Sequence, residues 1–173
     1  ASTLDPGTVR MCIIGPDAAD MLEDPTQRSA LTAYVSTGGR LLVLNQGTVL
    51  LDGLEAAKPI TESDFAEYTH AQIASRSHAV FAGIDPEDLN DWNGNHGIMA
   101  TYPLSRCVRN GRALLFSGWK HALLAEGVRG RGRFILSQLH LTNRYGKDPV
   151  ATRLFHNLVR YLMATPLPKT LEA

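Results

Sequence analysis

The stretch Gly38-Gly39-Arg40-Leu41-Leu42-Val43-Leu44-Asn45-Gln46-Gly47 decides the fold. Arg40 to Leu44 is short, apolar and β-compatible, the pattern of a strand buried on both faces. The glycine pair before it ends a helix, because a glycine past the last turn adopts the left-handed conformation that closes it. Pro25 opens that helix, predicted over Thr26 to Ser36, with Leu31, Tyr34 and Val35 at helical spacing beside Ala30. Further upstream, Val9 to Gly15 (VRMCIIG) reads as another buried strand, stopped by Gly15-Pro16. Asp17 is expected to cap a short helical turn running to Leu22. Strand, helix and strand in this order predict a βαβ unit with parallel pairing. Asn45-Gln46-Gly47 then lies at a strand's carboxyl end, where open α/β sheets bind ligands.

Downstream the pattern weakens from Thr48 to Ile73, with a helical turn expected over Asp64 to Tyr68. Val80 and Phe81 lead to Gly83 and to Asp85-Pro86, a turn from which Asp85 to Asp88 starts a short helix. Trp92-Asn93-Gly94-Asn95-His96-Gly97 is a polar, glycine-rich loop. Ala113 to Phe116, Ala122 to Ala125 and Arg133 to Leu139 read as successive strands, with Gly127 to Gly132 as the turn between the last two. The clearest helix runs from Asp148, its cap, to Met163. Val150, Leu154, Phe155, Leu158, Val159 and Leu162 form its apolar face. One domain over residues 1–165 is expected, followed by a tail over 166–173. No repeat or low-complexity segment interrupts it.

The chain has 173 residues, enough for one domain with a core. It is 44% hydrophobic and 20% charged, a globular composition. Seventeen basic residues balance seventeen acidic ones, so bulk positive charge gives no basis for a nucleic-acid partner. Uninterrupted aliphatic runs reach only four or five residues, against about 20 for a membrane-spanning helix. Cys12 and Cys107 are 95 residues apart, which excludes a CxxC motif and leaves a disulfide or two thiols equally open.

Few motifs that carry chemistry are present. The sequence contains no GxxxxGK[ST], no GxGxxG, no HExxH and no GxSxG. No metal site and no cofactor are therefore expected. Asp85, Glu87, Asp88 and Asp91 are close in sequence, whereas glycosidase carboxyl groups face each other across a sugar. Capping and solvation account better for that cluster. His70, His78, His121 and His156 read as surface or satisfied histidines. His96, in the tryptophan loop, and His140, at the end of a strand, keep functional weight. Trp92 is flanked by Asn93, Asn95 and His96, groups that pair with sugar hydroxyls beside a ring that stacks on a sugar face. Cys107 has Arg106 and Arg109 nearby but no base partner to activate it.

Two segments resemble class I glutamine amidotransferases. Gly38 to Gln46 is similar to their helix, glycine pair, strand and turn. Ser137-Gln138-Leu139-His140-Leu141-Thr142 resembles the Q-x-H-P-E strand end that carries their catalytic histidine, with His140 in the histidine position. The departures fall on the chemistry. Leu141 and Thr142 replace the Pro and Glu, and Leu44-Asn45-Gln46-Gly47 holds no cysteine where the family has G-x-C-x-G. An amide cannot attack a carbonyl as that thiolate does, so glutamine hydrolysis is not expected.

A closer resemblance is to the amidotransferase-like accessory domain of bacterial family 2-type glycoside hydrolases, of the β-galactosidase and β-mannosidase kind. It rests on the order of Val9–Ala18, Gly38–Gln46, Ser77–Trp92, Gly130–Leu141 and Asp148–Leu162. The resemblance implies a flavodoxin-like, three-layer α/β sandwich whose mainly parallel sheet has an antiparallel extension. It implies a non-catalytic domain joined to other domains or chains of a carbohydrate-active enzyme, and a secreted or periplasmic location. Its strand-end surface of Asn45, Gln46, Trp92, His96 and His140 is the expected ligand or sugar contact. The family has a further βαβ stretch ahead of the strand matching Val9–Gly15. The chain is therefore expected to be N-terminally truncated and to end in an exposed sheet edge, open to self-association. Two other readings stand beside this one: a free-standing hydrolase pairing His140 with an acid such as Asp88, and a pure interaction or oligomerisation module.

Overall fold

A computed structural model describes residues 4–46, 69–90, 100, 103–105, 111–118 and 121–166. Its core is the predicted βαβ unit. Strand β1 (Cys12–Ile14) pairs in parallel with β2 (Arg40–Leu44), Ile13 opposite Leu42. Between them lie α1 (Ala19–Glu23) and α2 (Pro25–Ser36). Asp24 caps α2, its carboxylate accepting from Thr26 N at 2.8 Å, with Pro25 in the first turn. The glycine pair that follows has two separate causes. Gly38 takes φ +118°, closed to most side chains, while a Cβ on Gly39 would enter the Tyr34 ring. That ring lies against the chain because its hydroxyl donates to Val9 O at 2.9 Å.

The start of α1 differs from the expectation. Ala18, not Asp17, precedes the helix, and Asp17 itself sits at φ +56°. The turn after Pro16 places Asp17 N toward Asn45 O at 3.3 Å, so Asp17 joins two strand ends instead of capping.

Beyond β2 the sheet continues through β3 (Gln72–Ile73), β4 (Leu104–Ser105), β5 (Gly111–Ser117), β6 (His121–Arg129) and β7 (Gly132–Ser137). The order is β1-β2-β7-β6-β5-β3. Among the described residues, only β1-β2 and β2-β7 are parallel; the pairings of β7 with β6, β6 with β5, β5 with β3 and β6 with β4 are antiparallel. Strand β4 is off the main path. The β6–β7 ladder reaches only Leu124, and β4 pairs with Ala122 and His121 beyond it.

The β6–β7 turn is shorter than predicted. Gly127 to Arg129 belong to β6 and the loop is Gly130-Arg131, led by a glycine at φ +55°. Gly127 is a strand residue because it faces Phe134, whose ring fills the space a side chain would need. The loop also closes the C-terminal end of α2: Arg131 N donates to Ser36 O, Arg131 Nη2 to Thr37 O and Arg129 Nε to Ser36 Oγ. Cations there meet the negative end of the helix dipole.

Strand β2 is buried on both sides, as its composition requires. Leu41 and Val43 join Leu31, Tyr34 and Val35 of α2 in one core. Leu42 and Leu44 join Leu154, Leu158 and Leu162 in the other. These leucines belong to α4 (Pro149–Ala164), which follows the short α3 (Leu141–Arg144). Asp148 caps α4 as predicted, its Oδ1 accepting from Val150 N and Ala151 N at 2.8 Å each. Helices thus cover both faces of an open, mixed sheet. Two 3₁₀ turns, Ala79–Phe81 and Pro86–Asn90, lie on the α4 side; the second stands where a short helix was expected. The expected turn over Asp64 to Tyr68 lies outside the described residues, as does the tail from residue 167.

Candidate functional site

The carboxyl ends of β1, β2 and β7 meet at one edge of the sheet, and hydrogen bonds stitch them together. Gln46 is buried, and both ends of its amide are in use. Nε2 donates to Gly15 O and Leu44 O at 2.6 Å each, and Oε1 accepts from Ala18 N at 3.0 Å. Its backbone pairs with the buried amide of Gln138: Gln46 N donates to Gln138 Oε1 at 3.0 Å, and Gln138 Nε2 donates to Gln46 O at 2.8 Å. Each strand end is therefore tied to the next across as many as 92 positions of sequence.

Asn45 stands at the turn itself, at φ +35°. Its N–H donates to Ser137 O at 2.6 Å. Its side-chain Oδ1 is shielded from solvent and accepts no hydrogen bond. A buried acceptor without a donor costs about 1–3 kcal/mol. His140 follows β7 and occupies the residue before α3, half-buried, with no side-chain bond to the helix start. The structure thus brings Asn45, Gln46 and His140 to one end of the sheet. Trp92 and His96 lie outside the described residues, with Trp119 and Cys107.

Asp88, the acid weighed as a partner for His140, lines a surface cleft with Ile73, Arg76, Gly83, Ile84, Asp85 and Pro86; His140 is not among the lining residues. Asp85 spends its carboxylate locally, accepting from Glu87 N. Among the described residues, no three His, Cys, Asp or Glu side chains are grouped to hold a metal. No described helix is long and apolar enough to cross a membrane. Cys12 is a free thiol whose pKa burial raises, which disfavours the reactive thiolate.

A second polar cluster went unnoticed in the sequence. Glu126 of β6 is only 5% exposed. Arg112 Nε donates to its Oε1 at 2.7 Å; Tyr161 Oη at 2.6 Å and Arg133 Nη1 at 3.2 Å donate to its Oε2. His78 Nδ1 accepts from Val80 N, which leaves the proton on Nε2, 3.5 Å from Glu126 Oε1. Burial pushes the Glu126 carboxyl up, but the Tyr161 and Arg112 hydrogen bonds and the neighbouring positive charge hold it below the usual range. Burial pushes His78 down, ahead of the opposing pull of Glu126. Burial and the bond to Glu126 raise Tyr161. The partners come from β5, β7, α4 and His78, the residue that caps the 3₁₀ turn Ala79–Phe81. Only the buried phase of Glu126 within an otherwise apolar strand signals it in the sequence.

No protein-family model and no curated protein sequence matches the chain. Solved structures do match in fold. The cytoplasmic protein STM3548 from Salmonella typhimurium is 16% identical over 92% of this chain and 72% of its own, with a TM-score of 0.62. The mmIFT52 N-terminal domain is 12% identical over 98% and 83%, at 0.55. The exo-β-1,4-mannosidase Op5Man5 from Opitutaceae bacterium strain TAV5 is 15% identical over 94% of this chain, at 0.52. This chain spans 26% of that mannosidase, the extent of one part of a larger enzyme. At these identities the likeness is one of fold.

Proposed function

We propose that the chain is a non-catalytic, amidotransferase-like domain of the flavodoxin-like, three-layer type, serving as an accessory unit of a carbohydrate-active enzyme. The observation that carries this reading is Asn45. It occupies the turn after β2 at positive φ, where the family resemblance calls for a nucleophilic thiol, and it holds an amide instead. Gln46 beside it is consumed by backbone bonds. The fold likeness to part of a mannosidase supports the carbohydrate setting. The strand-end turn that holds Asn45, with its buried Oδ1 unpaired, is the place in this reading where a sugar would lie.

An aryl-glycoside panel and a glutaminase assay on the purified chain test the reading. Neither is expected to show turnover. Glycoside hydrolysis that disappears on His140→Ala or Asp88→Ala would make the chain an enzyme in its own right and overturn the proposal.

A further inference from the structure

The balanced net charge conceals a division. Residues 1–91 carry 14 acidic and 5 basic side chains, and residues 92–173 carry 3 and 12. Part of the basic half gathers along α4. Lys147, Arg153, His156 and Arg160 line a surface cleft of ≈ 490 Å³. Arg153, His156 and Arg160 share the helix's exposed face, at intervals of about 4.5 and 6 Å set by the 1.5 Å rise per residue. Among the described residues, one carboxylate lines this cleft, Asp148, and it is buried against Val150 N and Ala151 N. Arg153 is steadied by Gly83 O, and His156 Nε2 by the Tyr145 hydroxyl at 3.0 Å.

Asn157 and Arg160 also line a second cleft of ≈ 410 Å³, walled by Ala79, Ala82, Tyr161, Ala164 and Pro166. The two clefts share Asn157 and Arg160 and so adjoin along α4, a groove with cationic lining over Lys147 to Arg160 and, Thr165 apart, apolar lining beyond. We infer that this groove binds a carboxylated oligosaccharide. The inference rests on the carbohydrate reading above and narrows its ligand to an acidic sugar.

A uronic-acid chain carries both features the groove asks for. Its ring carboxylates suit arginine, whose planar donors pair with them two at a time, and its ring C–H faces suit the tyrosine and alanine wall. A long polyanion such as duplex nucleic acid fits less well. Asp85 and Asp88 line the cleft on the other side of Gly83, so a strand leaving the groove there meets like charge.

The test is calorimetric titration of the full chain with trigalacturonate, and with its neutral methyl ester, at low and high salt. The acid is expected to bind and the ester not, with affinity falling as salt rises. Lys147 and Arg160 are exposed, so Lys147→Glu with Arg160→Glu should leave the thermal unfolding midpoint in place and weaken binding by about tenfold or more. Arg10→Glu, away from the groove, should change nothing. The inference is overturned if the acid does not bind, if the ester binds equally, if the double variant binds like the parent, or if a DNA oligonucleotide of equal charge competes better. Neutral-sugar binding lost on Asn45→Gly would overturn the groove alone and leave the accessory reading standing. Glycoside turnover would overturn that reading and leave the groove result intact.

Discussion

At the residue scale, Asn45 and Gln46 are adjacent and differ in what replacement should cost. Gln46→Ala removes three side-chain bonds and strands the backbone groups of Gly15, Ala18 and Leu44. A loss of about 2–3 kcal/mol in urea unfolding is expected. Asn45→Gly relieves a positive φ and deletes an acceptor that pairs with nothing, so stability should hold or rise by a few tenths of a kcal/mol. Glu126 is the costliest single residue in the polar clusters. Glu126→Ala leaves Arg133, Tyr161 and His78 facing an empty site, and about 3 kcal/mol should be lost. The figure sits at the low end for a broken buried pair because the Arg112 side chain is 61% exposed.

The same cluster sets a pH dependence. His78 and Glu126 both have folded pKa values below their ordinary ones. Each contribution is complete above the unfolded value and is lost as pH falls toward and through the folded one. Stability should hold above about pH 6.5, decline as the unfolded chain's histidine takes up a proton, and decline again below about pH 4 as the carboxylate does. In urea midpoints measured across that range, His78→Asn should abolish the first decline and keep the second. Asparagine retains an acceptor for Val80 N without the titrating ring.

Among the elements, β2 and α4 were legible in the sequence because each announces itself locally. Four apolar residues in a row, Leu41 to Leu44, between a glycine pair and a polar turn make a strand where they are buried. Asp148-Pro149 followed by an apolar stripe makes a helix with a defined start. Asp148→Ala removes two bonds to the first turn and should cost about 1–2 kcal/mol, read as a lower melting temperature. The β6–β7 turn is shorter than the sequence suggests, because glycines at 127, 130 and 132 look alike in a sequence. The fold gives them different duties. Gly127 yields to the Phe134 ring, Gly130 supplies positive φ, and a Cβ on Gly132 would strike Val35 O. Gly132→Ala should cost about 1–3 kcal/mol and disturb the junction of α2 with β7. Strands β3 and β4 have two residues each and no local signal; their partners on β5 and β6 define them.

For the molecule as a whole, the position of β1 matters most. It lies at the end of the sheet order and pairs with β2. Ile13 faces the α4 side, in register with Leu42, yet is 43% exposed. Among the described residues β1 ends the sheet order, and an unpaired strand edge attracts further strands. If the edge mediates self-association, the chain should show a concentration-dependent mass in light scattering, and Ile13→Lys should return it to a monomer. A monomer at all concentrations would remove that role.

Short windows of sequence were enough for the βαβ unit, the capped α4, and the placing of Asn45, Gln46 and His140 at strand ends. All of these follow from periodicity, capping chemistry or residue type within short windows, where the physics is local. Tertiary structure alone decided that Gln46 is a structural tie and that Asn45 carries an idle acceptor. It likewise decided that Glu126 gathers groups from β5, β7, α4 and the cap of a 3₁₀ turn, and that basic residues of α4 line one cleft. Those properties depend on which distant groups meet across the sheet. Burial and hydrogen-bond partners are set by that meeting, which no stretch of the chain contains.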